Sequence, residues 1–457
     1  MSGIFRLALA LTALGAPAAA HVSERVFVGL MPTDVYITAG VTAVALTVVA
    51  LFFTPDRWIA TIFRAPGNAG QGVRTLRHAT SLAGFLVLCL LLVAGAAGPS
   101  DPLRNPLPLA VWTLWWIGMP FAQAVFGDLW AWVNPWTGLH RLVFGAGPAP
   151  YSARRLGYWP ALAGFVVFAF LMLADPAPDD PRRLVWIVAE YFVLQFALTG
   201  LFGVEWLRRG ECFTVYFSWL SKLSPFCSVS KGFVRMPGAR LTDAAALPLS
   251  GTCLVLTILA TGSFDGLNET FWWLARIGVN PLAFPGRSAV MVPNSLGLFG
   301  FATGLIAVFS SATWVGLLLA RRTATFEQAL GRLVFAILPI ALGYHFAHFL
   351  TTVMVNGQYA LAAATDPFGS GADFLGLGNF YVTTGFFNTR ASAEAIWLAQ
   401  AGAIVIGHVV AVLLAHAIAL EIFRDRRATL VSQIPVVAFM VLYTLFGLWI
   451  LASPVGA

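Results

Sequence analysis

The feature that most constrains this chain is a succession of windows, each near twenty residues, that are apolar and almost free of charge. A helix needs about 20 such residues to cross the hydrocarbon core of a bilayer. The windows run approximately over 33–53, 80–98, 108–126, 160–175, 184–204, 245–263, 294–320, 329–355, 395–420 and 434–453. In hydrocarbon no water serves the backbone N–H and C=O groups, so segments that bond internally, helices, are expected. A transmembrane barrel would show alternating segments of about ten residues instead, and none is evident. Only 10% of the 457 residues are charged, against about 25% in a soluble domain. The expected fold is all-α: a polytopic transmembrane bundle of about ten helices.

Orientation follows from the 27 Lys and Arg residues. Most fall in alternate loops, around Arg57–Arg77, Arg141–Arg155, Arg208–Arg240, Arg321–Arg332 and Arg424–Arg427. The other set of loops holds Arg25, Arg104, Arg182, Arg183, Arg276, Arg287 and Arg390. The positive-inside rule puts the richer set in the cytoplasm, giving an N-out, C-out chain in a bacterial inner membrane. The net charge of +7 therefore reflects topology, and no basic run interleaved with aromatics points to nucleic acid. Cys89, Cys212, Cys227 and Cys253 form neither a CxxC pair nor a disulfide framework.

Residues 1–20 read as a cleavable signal peptide: Arg6, an apolar run from Leu7 to Leu14, and an A-x-A end at Ala18–Ala20. Residues 21–457 then form a single transmembrane helical domain whose mature N-terminus is His21. An N-terminal histidine chelates copper through its amine and ring together, provided a second histidine lies nearby; a coincidental residue after the signal is the plainer reading.

Ionisable groups inside apolar spans are costly and mark functional candidates. GYHFAHFL places His345 and His348 on one helix face, and the next span carries Gln400, His408 and His416. At 1.5 Å per residue, the depths of His345, His348 and His408 agree within about 10 Å. Glu190, with Gln195 beyond it, enters from the same side. Together His345, His348, His408 and Glu190 would suit a zinc, copper or iron site able to activate water; alternatively the imidazoles are polar glue between helices. Glu190, His345 and His408 are the catalytic candidates; His21, His345, His348 and His408 are the metal-ligand candidates. His416 is expected to face Glu421, and His78 and His140 to be interfacial.

Two outer loops, 264–293 and 356–394, are rich in Gly, Pro, Asn and aromatics. In SFDGLNET, Asp265 and Glu269 flank a Gly turn and would either support a site as carboxylates or cap a short helix. GDLWAWVNPWTGLH reads as a helix end with an Asn-Pro turn and aromatic anchors. Trp130, Trp132, Trp136, Trp159, Trp272 and Trp273 read as an interfacial belt, and Cys212–Leu223 as an amphipathic interfacial segment.

GDLWAWVNPWTGL, SFDGLNET, LPIALGYHFAHFL with its NGQY and DPFG continuation, AIWLAQAGAIVIGHVVAVLLAH and the mature start AHVSERVF together resemble the multi-pass membrane proteins called fenitrothion hydrolases. The resemblance spans most of the chain. It implies hydrolysis of an organophosphorus triester with release of a phenol, and it assigns no catalytic residue. Such apolar substrates partition into membrane lipid. No G-x-S-x-G elbow sits in a strand–turn–helix setting, so a serine hydrolase is not indicated. A metal-dependent hydrolase, a transporter or channel in which Glu190 and the histidines relay protons or bind substrate, and a copper-handling or redox-assembly protein using His21 with His345, His348 and His408 all fit these residues, and a second membrane subunit could complete the site.

Overall fold

The computed structural model describes residues 32–64, 74–145, 147, 149–226, 235–283, 286–321, 324–378, 380–423 and 425–455. The signal peptide and His21, with its copper reading, lie outside them. Among the described residues the chain is helical, with one isolated antiparallel bridge, Thr270 to Val455, and no sheet.

The chain enters with α1 (Thr33–Phe53) and a short α2 (Asp56–Ile62), then α3 (Arg74–Ala97). Helix α4 (Pro106–Phe126) contains a ten-residue π-helical stretch, Leu109–Gly118. The GDLW–NPWTG segment makes α5 (Trp130–Val133) and α6 (Pro135–Phe144). Next come α7 (Trp159–Leu173), α8 (Pro181–Phe202), α9 (Glu205–Arg209), α10 (Cys212–Leu220), α11 (Leu249–Asn268), α12 (Phe271–Arg276) and α13 (Arg287–Leu319). Helix α14 (Phe326–Thr365) is interrupted by a 3-10 turn at Val334–Ile337, where Pro339 has no N–H to return to the preceding turn. Helices α15 (Arg390–Ile422) and α16 (Arg426–Ala452) close the chain.

Nine of the described helices are long and apolar enough to span a bilayer, and α7 is a shorter apolar helix of 15 residues. This is an all-α polytopic membrane bundle. The windows of the sequence reappear as these helices with shifted ends. Helix α11 runs through Asn268, so Asp265 and Gly266 are helical, and Asp265 is buried, rather than a loop turn. Helix α14 continues to Thr365, so NGQY is helical and the following loop spans 366–389. An apolar window gives no stop signal when a helix projects past the bilayer, so its end is decided by capping and tertiary contacts.

The helices are layered. Only 11% of the α1 window and 17% of those of α3 and α8 are buried in protein, whereas α11 is 89% buried. Helix α11 is the axial element, packed against α7, α13, α14 and α16. It therefore tolerates Ser250, Thr261, Ser263 and Asp265, which find protein partners instead of lipid. The rest of the centre is α14 against α15, which approach until a Cβ on Gly343 would stand 2.6 Å from the Ala403 carbonyl oxygen and one on Gly407 2.7 Å from that of Pro339. Small residues permit this backbone contact, the usual substitute for a hydrophobic drive in lipid.

The loops rich in Lys and Arg share one end of the bundle. Arg426 pairs with Asp56 and bonds the Thr54 carbonyl, and Arg332 donates to the Thr242 carbonyl. At the opposite end Arg287 donates to the carbonyls of Met172 (2.9 Å) and Asp175 (3.4 Å), while Arg183 grips the Asp175 carboxylate at 2.7 and 2.8 Å.

Two expectations are corrected. Cys212–Leu223 does not lie on the surface: Cys212, Phe213, Val215, Tyr216, Phe217, Trp219 and Leu220 are all buried, and Glu211 caps α10 by accepting the Phe213 (2.9 Å) and Thr214 (2.6 Å) N–H groups. Trp130 and Trp136 are also core residues, donating to the Thr214 hydroxyl (3.0 Å) and the Phe192 carbonyl (3.1 Å), so the aromatic belt is left to residues such as Trp159 and Trp272. The plain reading of the Asn-Pro turn holds: Asn134 caps α6 by accepting from the Thr137 N–H at 3.0 Å, with Pro135 following.

Candidate functional site

The site is built where α14 crosses α15. Gly343 and Gly407 meet there, so Tyr344 and His408, each next in sequence to one of these glycines, and His345, one residue further on, come to one level. The sequence count of depth is right in that respect. The rings nevertheless part company around the helices.

His345, 5% exposed, points toward α4. Its Nε2 lies 3.3 Å from the Ile117 carbonyl oxygen, and its ring packs edge-on against Trp116 (5.2 Å between centroids) and Phe349 (4.8 Å) and tilted against Phe121 (5.3 Å). The backbone it meets is loosened twice, by the π-helical winding through Gly118 and by Pro120, which has no N–H for the carbonyl four residues earlier. An imidazole N–H directed at the Ile117 carbonyl ties α14 to this irregular stretch of α4.

His348, one turn further toward the sparse end, turns to α11. Its Nε2 stands 3.0 Å from Asp265 Oδ2, with side chains 25% and 12% exposed. Gly266 lies beside the ring: a Cβ there would be in ordinary contact with His348 Nδ1 at 3.7 Å and would crowd Ile450 at 2.9 Å. Phe349 lies edge-on to the His348 ring at 4.6 Å. From His348 to Tyr359 every residue of α14 is partly exposed, so this half of the helix is not sealed by its neighbours.

His408, fully buried, faces neither partner. Its Nδ1 is 2.8 Å from the Ile404 carbonyl, so that nitrogen carries the hydrogen and Nε2 is the basic one. Nε2 has no hydrogen-bond partner among the described residues. The ring lies between Tyr344 and Tyr443, centroids 6.2 and 6.4 Å away. Tyr344 donates to the Tyr443 carbonyl at 2.9 Å and Tyr443 to Ser263 Oγ at 2.8 Å, which joins α14, α16 and α11. Gln400 spans the same helix pair higher up, donating to the Ala347 carbonyl at 2.7 Å.

The expected metal cluster is therefore not assembled. His345, His348 and His408 address α4, α11 and α16 in turn, and Glu190 is exposed on α8, itself a peripheral helix. Among the described residues no group of three or more His, Cys, Asp or Glu side chains is placed to hold a metal ion. Gln195, the companion of Glu190, is buried and accepts from Trp206 Nε1 at 2.8 Å. His416 faces Gln433, whose Nε2 is 3.1 Å from its Nδ1, and Asp56, 3.9 Å from its Nε2, rather than Glu421.

What the sequence reading missed is the role of α11. Asp265 was visible as a carboxylate but was placed in a turn; the signal was the polar run along an otherwise apolar span, which marks a helix enclosed by protein. Tyr344, Tyr443 and Ser263 carried no signal beyond their presence in spans.

No family model matches the chain, and no curated protein or solved structure is similar to it.

Proposed function

We propose that this protein is a membrane-embedded hydrolase of apolar esters, of the organophosphorus triester type, in which His348 is the general base and Asp265 its orienting carboxylate. The observation that carries the reading is the 3.0 Å His348–Asp265 pair, still partly exposed on a stretch of α14 whose residues are all partly exposed. A carboxylate accepting from one ring nitrogen fixes the tautomer, makes the other nitrogen the base and stabilises the imidazolium as it forms. Nδ1 takes a proton from water, the resulting hydroxide attacks phosphorus, the phosphorus–oxygen bond to the phenol breaks, and the proton passes to the departing phenoxide. The lipid-facing surroundings suit a substrate that arrives from the bilayer. The resemblance to fenitrothion hydrolases supports the same substrate class. With no three-ligand grouping among the described residues, copper or zinc is not given a step.

Hydrolysis of a nitrophenyl phosphorothioate triester by the purified full-length protein in detergent tests this. General-base removal costs about 10²- to 10⁴-fold, so His348→Gln and Asp265→Asn are expected to lose turnover while keeping the fold by circular dichroism. Wild-type rates in both variants would overturn the assignment.

A second reading, proton transfer for transport, draws support from His408, whose buried basic nitrogen has no partner among the described residues, and from His416 two turns further along α15. It predicts gradient-dependent flux in proteoliposomes, lost in His408→Gln, with no turnover in detergent.

A further inference from the structure

At the basic end of the bundle a cleft of about 680 Å³ opens between the start of α3, α6, and the turn that joins α8 to α9. Its polar lining includes His78, His140, Arg141, Tyr151, Ser152 and Glu205. The walls are fixed. Gly138 brings α6 so close to α3 that a Cβ would stand 2.5 Å from the His78 carbonyl oxygen. The Ser81 hydroxyl accepts the Gly138 N–H at 2.7 Å. Across the cleft, the Tyr151 N–H donates to the Leu201 carbonyl at 3.1 Å, and Gly145 and Gly203 turn the chain at φ +70° and +69°.

The charge balance of the cleft is positive. Glu205 is taken by Arg154 at 2.8 Å and by Arg209 at 3.6 Å. Arg141 makes no ion pair among the described residues and is exposed at the cleft. His78 Nδ1 is a buried ring nitrogen with no hydrogen-bond partner among the described residues. Immediately beside the polar lining the surface turns apolar: Leu142 is 71% exposed, and Val143, Phe144, Val193, Leu194 and Leu201 are also exposed, on α6 and α8. A cationic polar recess next to a lipid-facing apolar wall matches one kind of ligand, a molecule with an anionic head and hydrocarbon chains. The volume lies within the range of small-molecule pockets, and basic recesses between helices at the positively charged face are where lipid phosphates bind.

We propose that this cleft binds the phosphodiester headgroup of an anionic phospholipid, with Arg141 supplying the charge, His78, His140, Tyr151 and Ser152 the hydrogen bonds, and the exposed sides of α6 and α8 the track for the acyl chains. The site is independent of the His348–Asp265 chemistry.

Native mass spectrometry of the full-length protein, released from detergent with added phosphatidylglycerol or phosphatidylcholine, provides the test. Phosphatidylglycerol is expected to be retained in preference to phosphatidylcholine, and its retention to fall at least about tenfold in Arg141→Glu, in keeping with the loss of a charge-assisted contact. Arg104→Glu, at the opposite end, is expected to bind as wild type. Equal retention of the two lipids, or undiminished phosphatidylglycerol on Arg141→Glu, would overturn the proposal. So would displacement of the lipid by millimolar inorganic phosphate, which would make the cleft a site for free phosphate compounds. A smaller and Arg141-dependent effect in His140→Gln would support the assigned hydrogen bonds.

Discussion

Among the described residues the bundle holds two imidazole–carboxylate pairs, and they are not equivalent. His348 and Asp265 meet directly at 3.0 Å, partly open, with a carboxylate on the axial helix. His416 is 1% exposed and stands 3.9 Å from Asp56, whose carboxylate is engaged by Arg426. Gln433 holds the other ring nitrogen of His416, and Arg426 also bonds the Phe52 and Thr54 carbonyls. In the second pair the acid's charge is already neutralised and the ring is sealed. It fastens α2 to α15 and α16. In the first pair no Lys or Arg pairs with Asp265 among the described residues, and the His348 side chain remains 25% exposed. The same two residue types thus serve chemistry in one place and architecture in another; the difference lies in what else touches the acid.

Exchange of each histidine for glutamine breaks or sharpens this contrast most strongly. His348→Gln is expected to lower triester turnover by about 10²-fold or more with little change in thermal stability. His416→Gln should leave turnover within a few-fold of wild type while lowering stability by about 1 kcal/mol, the scale of one hydrogen bond. Matched rate losses in the two variants would erase the distinction.

The next effect concerns the crossing of α14 and α15, from which His348 projects. Gly407→Ala would place a methyl group 2.7 Å from the Pro339 carbonyl, forcing α14 and α15 apart at a cost of about 1–3 kcal/mol. Turnover should fall too, because Tyr344, His345 and His348 all ride on α14. A stable variant with wild-type turnover would show that the crossing does not position the site.

The smallest effect is a reference from an ion pair outside both. Arg183 holds the Asp175 carboxyl below its ordinary value of 3.8. That pair's contribution is therefore full above this ordinary value and is lost as pH falls through the lower folded value. Because Arg183 is 47% exposed, the contribution is on the order of 1 kcal/mol or less. Asp175→Asn should lower thermal stability slightly near neutral pH and narrow its difference from wild type in acid, measured by unfolding in detergent. A difference constant with pH would show that the contact contributes by shape rather than charge.

Much of this molecule was written in its apolar windows. Exclusion of water from hydrocarbon obliges each window to be a helix, the distribution of Lys and Arg sets which loops share an end, and residue counting placed His345 and His408 at one depth because helical rise is fixed. The sequence could not say which way those side chains face. In a helix that is apolar on every side, no periodicity distinguishes the protein-facing surface from the lipid-facing one. The glycine contacts between α14 and α15, the axial position of α11 and the loosened backbone around Pro120 made that choice. They turned three imidazoles apart, left Glu190 outside, and gave His348 the partner, Asp265, that the linear reading had assigned to a loop.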